Sequence, residues 1–449
     1  MNNTAAYTGI DSKPAYESPF GHTLIVGAGP AAIQVAVHIF RGWCEGLGLI
    51  NRKGAHSDRM KEELKKNGFN LTARVQGEKA GHLSGKATLT HFYEGYDQID
   101  DIWQTVIFCT PSDSYPSIID DLKLDSWKAV KTILLISPGP GSNLLVNSRL
   151  GKVKESLDVI SLSTYYAATK FEPGMPSMVS CFTKALKKHL YVASSQKEST
   201  AVSHVKAFIE SLGIRCTVVR QPIEAESRNV TTYVHPPLFI NPFSLNEIFS
   251  HQKSNKYMYK IYPEGPVSQH SIHTMVLLWK EISAVIKQMG ANPINLLKFL
   301  NDDNYPVLEK TLSRSDIETF VQQEPITQEY LLYIRYTSIL IDPFSTPDDR
   351  GRYFDFSAVP YKQVYRDRNG KWVIPRVPYE DYKNLKLLYG LAQKMNILMP
   401  QTLELIRCFE EKYHAFIKQQ GKDSFYPEQI AEPSSNDVDA IWSEMGMEK

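Results

Sequence analysis

The segment His22 to Ala32, HTLIVGAGPAA, constrains the fold more than any other stretch of the chain. An apolar run long enough for one buried strand ends in Gly-Ala-Gly-Pro-Ala-Ala, and helical periodicity follows. Strand, glycine turn and helix in that order form the first unit of a parallel α/β sheet that binds a dinucleotide. Gly27 permits the tight turn, Gly29 lets the backbone approach a pyrophosphate, and Ala32 is small enough for the helix to pack closely on the strand. With Pro30 and Ala31 in the first turn of that helix, its free N–H groups and positive end face the phosphates.

The second strand selects between cofactors. A site for NAD usually places an acid about 20 residues further on, against the ribose hydroxyls. Here the strand end reads GLGLINRKG, with Arg52 and Lys53 and no carboxylate. A guanidinium pairs a 2′-phosphate bidentately where an acid would repel it, so NADP(H) is predicted, with Arg52 as the discriminating residue. Arg59 is a second candidate for the same pocket, whereas Lys61 in RMKEELKK fits a solvated helix face better.

At 449 residues, 42% of them hydrophobic, the chain has room for two or three ordinary domains. Its 50 basic and 49 acidic residues give no reason to expect nucleic acid or an anionic membrane as partner. No apolar stretch reaches membrane-spanning length, and the first 20 residues lack a basic and an apolar signal region, so a soluble cytoplasmic protein is expected. Cys44, Cys109, Cys181, Cys216 and Cys408 form no Cys-x-x-Cys pair, which fits reduced thiols, and no metal-ligand spacing is visible.

Short apolar runs alternate with helical segments from residue 22 to about 220, as a parallel sheet requires. The predicted fold is α/β: an extension over 1–21, a Rossmann-type domain over 22–222, a mostly helical domain over 223–430, and a polar tail over 431–449, loosely ordered apart from one short helix. Ligand crevices form at the carboxyl ends of such strands, which makes Thr110 and Pro111 after one run, and Pro138 after another, cofactor contacts. In the second domain, SIHTMVLLWKEISAVIKQMG, NPINLLKFL, QEYLLYIRYTSILI and TLELIRCFEEKYHAFIKQQ carry helical spacing. YRDRNGKWVIPR reads as a β-hairpin around Asn-Gly.

Four further segments, EAESRNVTTYVHPPLFINPFSL, YKIYPEGPVS, EYLLYIRYTSILIDPFS and RGRYFDFSAVPYKQVY, taken with the glycine turn, resemble the opine dehydrogenase superfamily. The likeness spans about residues 22–415 and is strongest to the branch that makes opine metallophores. It implies an NADP-binding Rossmann domain, a helical second domain, an active site in the cleft between them, and a homodimer. The implied reaction condenses the primary amine of a nicotianamine-like intermediate with an α-keto acid and reduces the imine with NADPH. An NADP-dependent dehydrogenase making a simple amino-acid opine or acting on a 2-hydroxy acid, and a non-catalytic NADP-binding sensor, are the alternatives.

Such chemistry needs an acid and base near neutral pH, and His235 in YVHPPLF matches the catalytic histidine of the resemblance. Asp342 and Asp355 are candidates for its orienting carboxylate, Asp342 being slightly favoured. Arg228 and Asn229 read as contacts for substrate carboxylates or, for Arg228, as an ion pair; Tyr259, Tyr262 and Glu264 are candidates for the amine side of the cleft. The resemblance also implies a keto-acid rule at Ala168, where pyruvate users carry Asp and 2-oxoglutarate users Ala. An aspartate about 4 Å from a distal carboxylate costs roughly 4 kcal/mol at an effective dielectric of about 20. Ala168, with Lys170 nearby, therefore predicts 2-oxoglutarate.

Overall fold

The computed structural model describes residues 18–446 apart from 78, 79, 173, 175, 176, 341–346, 348, 354–358 and 431–434. Twelve strands build two sheets: β1 (His22–Val26), β2 (Gly46–Asn51), β3 (Asn70–Val75), β4 (Gly85–Thr88), β5 (His91–Glu94), β6 (Thr105–Phe108), β7 (Thr132–Leu135), β8 (Asp158–Leu162), β9 (Ala167–Phe171), β10 (Ser180–Leu186), β11 (His189–Ser194) and β12 (Arg215–Val218). The main sheet runs β12-β11-β8-β7-β6-β1-β2-β5. Leu24, Ile25 and Val26 of β1 are fully buried, because helices cover both faces of a doubly wound sheet and leave no polar side.

The expected α/β fold forms, with one departure from an all-parallel sheet. The sheet is parallel only from β5 through β8; β11 pairs antiparallel with β8, and β12 runs with β11. A parallel return requires a crossover, usually a helix, and among the described residues none separates β8 from β11. The chain instead makes an excursion through β9 and β10 into a second, four-stranded sheet of order β4-β3-β10-β9, which the sequence reading did not contain. A buried polar chain ties that sheet to the helix Pro30–Ile39. Thr183 donates to Gln34 Oε1 at 2.6 Å, Gln34 Nε2 contacts His38 Nε2, and His38 Nδ1 meets the Tyr166 hydroxyl at 3.1 Å. Burial lowers the His38 pKa to about 4.

Beyond β12 the chain is helical. The expected segments form the helices Gln269–Gln288, Leu296–Asp302, Pro325–Ser338 and Pro400–Gln420, whose apolar stripes share one core with Phe239, Leu388 and Phe409. The hairpin forms as β13 (Tyr365–Arg366) and β14 (Trp372–Val373), with Gly370 at φ +73° in its turn. The sequence reading did not identify the helix Arg376–Lys394. The tail helix Ser435–Glu444 is docked: Ile441 is fully buried, and the ion pairs Lys154–Glu444 and Lys394–Asp439, both at 2.5 Å, hold it to the two halves of the molecule. Among the described residues no helix is long and apolar enough to cross a membrane.

Candidate active site

Gly27 sits at φ +105° and donates to Ile50 O at 2.8 Å, which closes the turn between β1 and the helix Pro30–Ile39. Gly29 caps that helix without a side-chain acceptor, so its first-turn N–H groups keep no side-chain cap. A Cβ placed on Gly29 would meet nothing within 4 Å, leaving open space over the amides. Ala32 is fully buried, as close helix–sheet packing requires. Arg52, at the end of β2, lines a cavity of about 850 Å³ with Ser112, Ser114 and the helix Arg376–Lys394. Its side chain makes no hydrogen bond or ion pair among the described residues, whereas Lys53 pairs with Asp97 and Lys61 with Glu94, each at 2.9 Å. Open amides at a helix N-terminus and an unpaired guanidinium beside them fit a dinucleotide bearing an additional phosphate.

A second cavity of about 830 Å³ continues the first, sharing Ser112, Gly139 and Asn384 with it. Ala31, Thr110, Pro111, Pro138 and Tyr165 form its sheet side; Asn229, His235, Tyr259, Lys362, Arg376 and Asp381 form its helical side. His235 Nδ1 lies 3.3 Å from Asp381 Oδ1, with side-chain exposures of 15% and 8%. The other oxygen of Asp381 is buried with no hydrogen-bond partner among the described residues, so the carboxylate depends on this imidazole. Nδ1 is the ring nitrogen on the Asp381 side, which leaves Nε2 as the candidate for proton transfer.

The helix Val230–Phe239 carries the histidine. Asn229 caps it, accepting from Thr231 N at 3.2 Å and Thr231 Oγ1 at 2.9 Å. Pro236 and Pro237 lie inside it and remove two ladder donors. The far end is secured by Ile240 N to Pro236 O at 2.8 Å and by Asn241 Nδ2 to Leu238 O at 2.9 Å. Phe239, one turn on, sits edge-on against the His235 ring at 5.1 Å and against Tyr259 at 5.5 Å.

The second glycine turn, Ser137–Gly141, differs from the first. Its amides are occupied: Glu226 Oε2 accepts from Gly141 N at 2.8 Å, Glu226 Oε1 accepts from Asn143 N at 2.8 Å and Ser161 Oγ at 2.9 Å, and Ser142 Oγ accepts from Gly139 N at 2.9 Å. Burial pushes the Glu226 pKa up to about 7 against these donors, which lower it.

Several predicted residues stand elsewhere. Arg228 forms the ion pair, 3.1 Å from Glu224, and its guanidinium lies over the Tyr191 ring at 4.8 Å. Ala168 and Lys170 are exposed on β9, and Tyr262 packs against Phe243; Glu264 is exposed. None of these five is in the lining of either cavity, and neither is Arg59. Asp342 and Asp355 lie outside the described residues. Sequence reasoning missed Asp381, Lys362, Arg376, Asn384 and Glu226. Asp381 follows Glu380 in an amphipathic pattern that reads as a solvated face, and only the fold brings it to His235. Among the described residues no group of three or more His, Cys, Asp or Glu side chains is placed to hold a metal ion.

A sheet whose first turn leaves its amides open beside an unpaired arginine, facing a histidine–carboxylate pair across one cleft, defines a two-part dehydrogenase. The chain belongs to the staphylopine dehydrogenase family, whose profile matches residues 21–445. It is 41% identical over 429 residues to pseudopaline synthase of Pseudomonas aeruginosa, covering 95% of this chain and 98% of that protein. It is 37% identical over 396 residues to staphylopine synthase of Staphylococcus aureus, covering 88% and 91%. Its fold is similar to that of NADP⁺-bound yersinopine dehydrogenase, with a TM-score of 0.87 at 32% identity over 96% of this chain and 100% of the other.

Proposed function

We propose that this protein is an NADPH-dependent opine metallophore dehydrogenase, joining the primary amine of a nicotianamine-like intermediate to an α-keto acid, with 2-oxoglutarate preferred over pyruvate. The observation that carries the reading is the His235–Asp381 pair, set in one cavity with the strand-end loops that continue from the phosphate turn. Gly27, Gly29, Pro30, Ala31 and Ala32 hold the pyrophosphate of NADP(H), Thr110, Pro111 and Pro138 wall it, and Arg52 meets the 2′-phosphate. NADPH, when bound, supplies the hydride that reduces the imine.

The chain's own task is proton traffic. As the amine adds to the ketone, His235 Nε2 takes the proton the nitrogen sheds and passes it to the alkoxide oxygen, giving the carbinolamine; a second proton, taken up from solvent through the same imidazole, lets the hydroxyl leave as water while the nitrogen lone pair forms the iminium. Asp381 holds the ring through Nδ1 and stabilises the imidazolium between these two steps. Lys362, which makes no hydrogen bond or ion pair among the described residues, and Arg376, held by Glu380 at 2.6 Å, supply positive charge for substrate carboxylates. The uncompensated Lys362 favours a keto acid with a second carboxylate, in the same direction as Ala168, although Ala168 lies outside the cavity lining. Asn229 and Tyr259 line the amine side. The Rossmann half is 22–222 and the helical half 223–430. An exposed stripe of Ile326, Tyr330 and Tyr333 on one helix fits a homodimer contact, and five unpaired cysteines fit the cytoplasm.

The test is an NADPH-consumption screen of amines crossed against α-keto acids, with mass spectrometry of the products and His235→Ala in parallel. The variant is expected to lose about 10² to 10⁴ in turnover while still binding NADPH. Near-normal turnover in the folded variant, or consumption only with a free amino acid and pyruvate, would overturn the reading. Comparing kcat/KM for 2-oxoglutarate and pyruvate, in the wild type and in Ala168→Asp and Lys362→Ala, tests the keto-acid preference.

A further inference from the structure

Glu226 is fully buried, and its carboxylate accepts from two backbone amides and from the Ser161 hydroxyl, which itself accepts from Asn143 Nδ2 at 3.2 Å. An ionised carboxylate in such a place is unfavourable unless its lone pairs are used, and here both oxygens accept. The two amide donors belong to the Ser137–Gly141 turn and the N-terminus of the helix Ser142–Leu150, where an anion is also favoured by the helix dipole, and Ser161 reaches in from β8. That turn is shared: Gly139 lines both cavities, and Pro138 lines the one that holds His235. On its other side Glu226 ends the helix Pro222–Glu226, three residues before Asn229, the cap of the helix that carries His235. One carboxylate therefore joins the wall on the sheet side to the element presenting the histidine.

We propose that Glu226 is a positioning residue for the reaction: by accepting from Gly141, Asn143 and Ser161 it fixes the Pro138–Gly141 wall relative to His235. It touches neither substrate nor cofactor, and its effect is on reaction geometry, not on the grip on the dinucleotide, which rests on the first turn and Arg52. The inference rests on the functional reading above, in that the reaction is placed in the cavity between this wall and His235.

Glu226→Gln is the decisive variant. It keeps the shape but must turn an amide nitrogen toward either the Gly141 or the Asn143 N–H, so one donor loses its acceptor. The expected result is faster hydrogen exchange at the amides of residues 139–143, with kcat per folded site down about tenfold and the dissociation constant for NADPH, from fluorescence titration, within about threefold of the wild type. A purely structural role would lower thermal stability and leave kcat per folded site unchanged, and that outcome overturns the proposal; so does unchanged exchange in 139–143. Ser161→Ala, which removes one donor and keeps the charge, repeats both measurements if Glu226→Gln does not fold, and should move them in the same direction by a smaller factor. Wild-type protein with no turnover in any amine and keto-acid pair refutes the functional reading, while the exchange measurement still decides whether Glu226 holds the wall.

Discussion

Two glycine-rich turns stand at the carboxyl ends of β1 and β7, with β6 between them in the sheet, and they do opposite things. Gly27–Ala32 leaves its helix N-terminus uncapped, with open space where a side chain on Gly29 would lie. Ser137–Gly141 has the same richness in Gly and Pro, but a buried carboxylate and a serine hydroxyl consume its amides. Composition alone does not separate a phosphate cradle from a rigid wall. What separates them is whether the chain brings its own anion, and for the second turn it does so from a residue some eighty positions away in sequence.

The largest effect expected from that difference is at Gly29. The Cβ of a Val there meets nothing within 4 Å, so the apo protein should keep its stability while the branched side chain occupies the space over the amides. Losing charge-assisted contacts to the pyrophosphate should weaken NADPH binding by about 3 kcal/mol, on the order of a hundredfold. Isothermal titration beside a melting curve checks both halves; unchanged affinity would show that the open amides are not the phosphate site.

Legibility followed the same divide. β1 and its turn could be read because a strand buried on both faces is apolar throughout and a phosphate turn needs glycine at set positions. β3 and β4, NLTARV and GKAT, are short and half polar, and the sheet is joined by β3 pairing with β10, far away in sequence, so no local pattern announces it. His235 stood out through its motif. Asp381 and Glu226 each sit in a helical segment of mixed charge, where an acid that folds inward has the same local sequence as one that faces water.

Acid and base behaviour sharpens the contrast next, since one buried titratable group belongs to each region. The Glu226 carboxyl moves from 4.5 to about 7, so the unfolded chain ionises first as pH rises; its contribution is complete below about 4.5 and is lost on going up to about 7. His38, behind the phosphate turn, moves from 6.5 to about 4, so its contribution is complete above 6.5 and is lost as pH falls to about 4. The two slopes oppose each other over nearly the same window, each worth about 3 kcal/mol, and largely offset in the wild type. Glu226→Gln removes one of them. Denaturant unfolding from pH 4 to 8 should show the wild-type-minus-variant stability falling by about 3 kcal/mol as pH rises from 4.5 to 7, and a flat difference would mean that Glu226 does not titrate in that range.

Arg52 tests the edge of the cradle. Removing an unpaired guanidinium from a 2′-phosphate should cost about 1.5 to 3 kcal/mol, roughly tenfold to a hundredfold in NADPH affinity, and leave NADH binding nearly unchanged. Equal loss for both nucleotides in Arg52→Ala would place the arginine elsewhere on the dinucleotide, and an unchanged NADPH preference would remove it from the site.

The smallest effect is expected at Gly139, and its smallness is the point. A Cβ there would come within 3.1 Å of Asn384 Oδ1 and 3.5 Å of Ser112 Oγ, both side-chain atoms that can swing aside. At Gly27, by contrast, the added carbon would lie 3.0 Å from Thr110 Cγ2 and 3.3 Å from the Cys109 carbonyl, on a backbone held at φ +105°. Because the amides around Gly139 already bond to Ser142 and Glu226, no phosphate needs the space, and Gly139→Ala should alter NADPH affinity by only about twofold, within roughly 0.5 kcal/mol. A loss comparable to that of Gly29→Val would mean that the second turn also carries phosphate, and that the carboxylate beneath it gives way when the dinucleotide arrives.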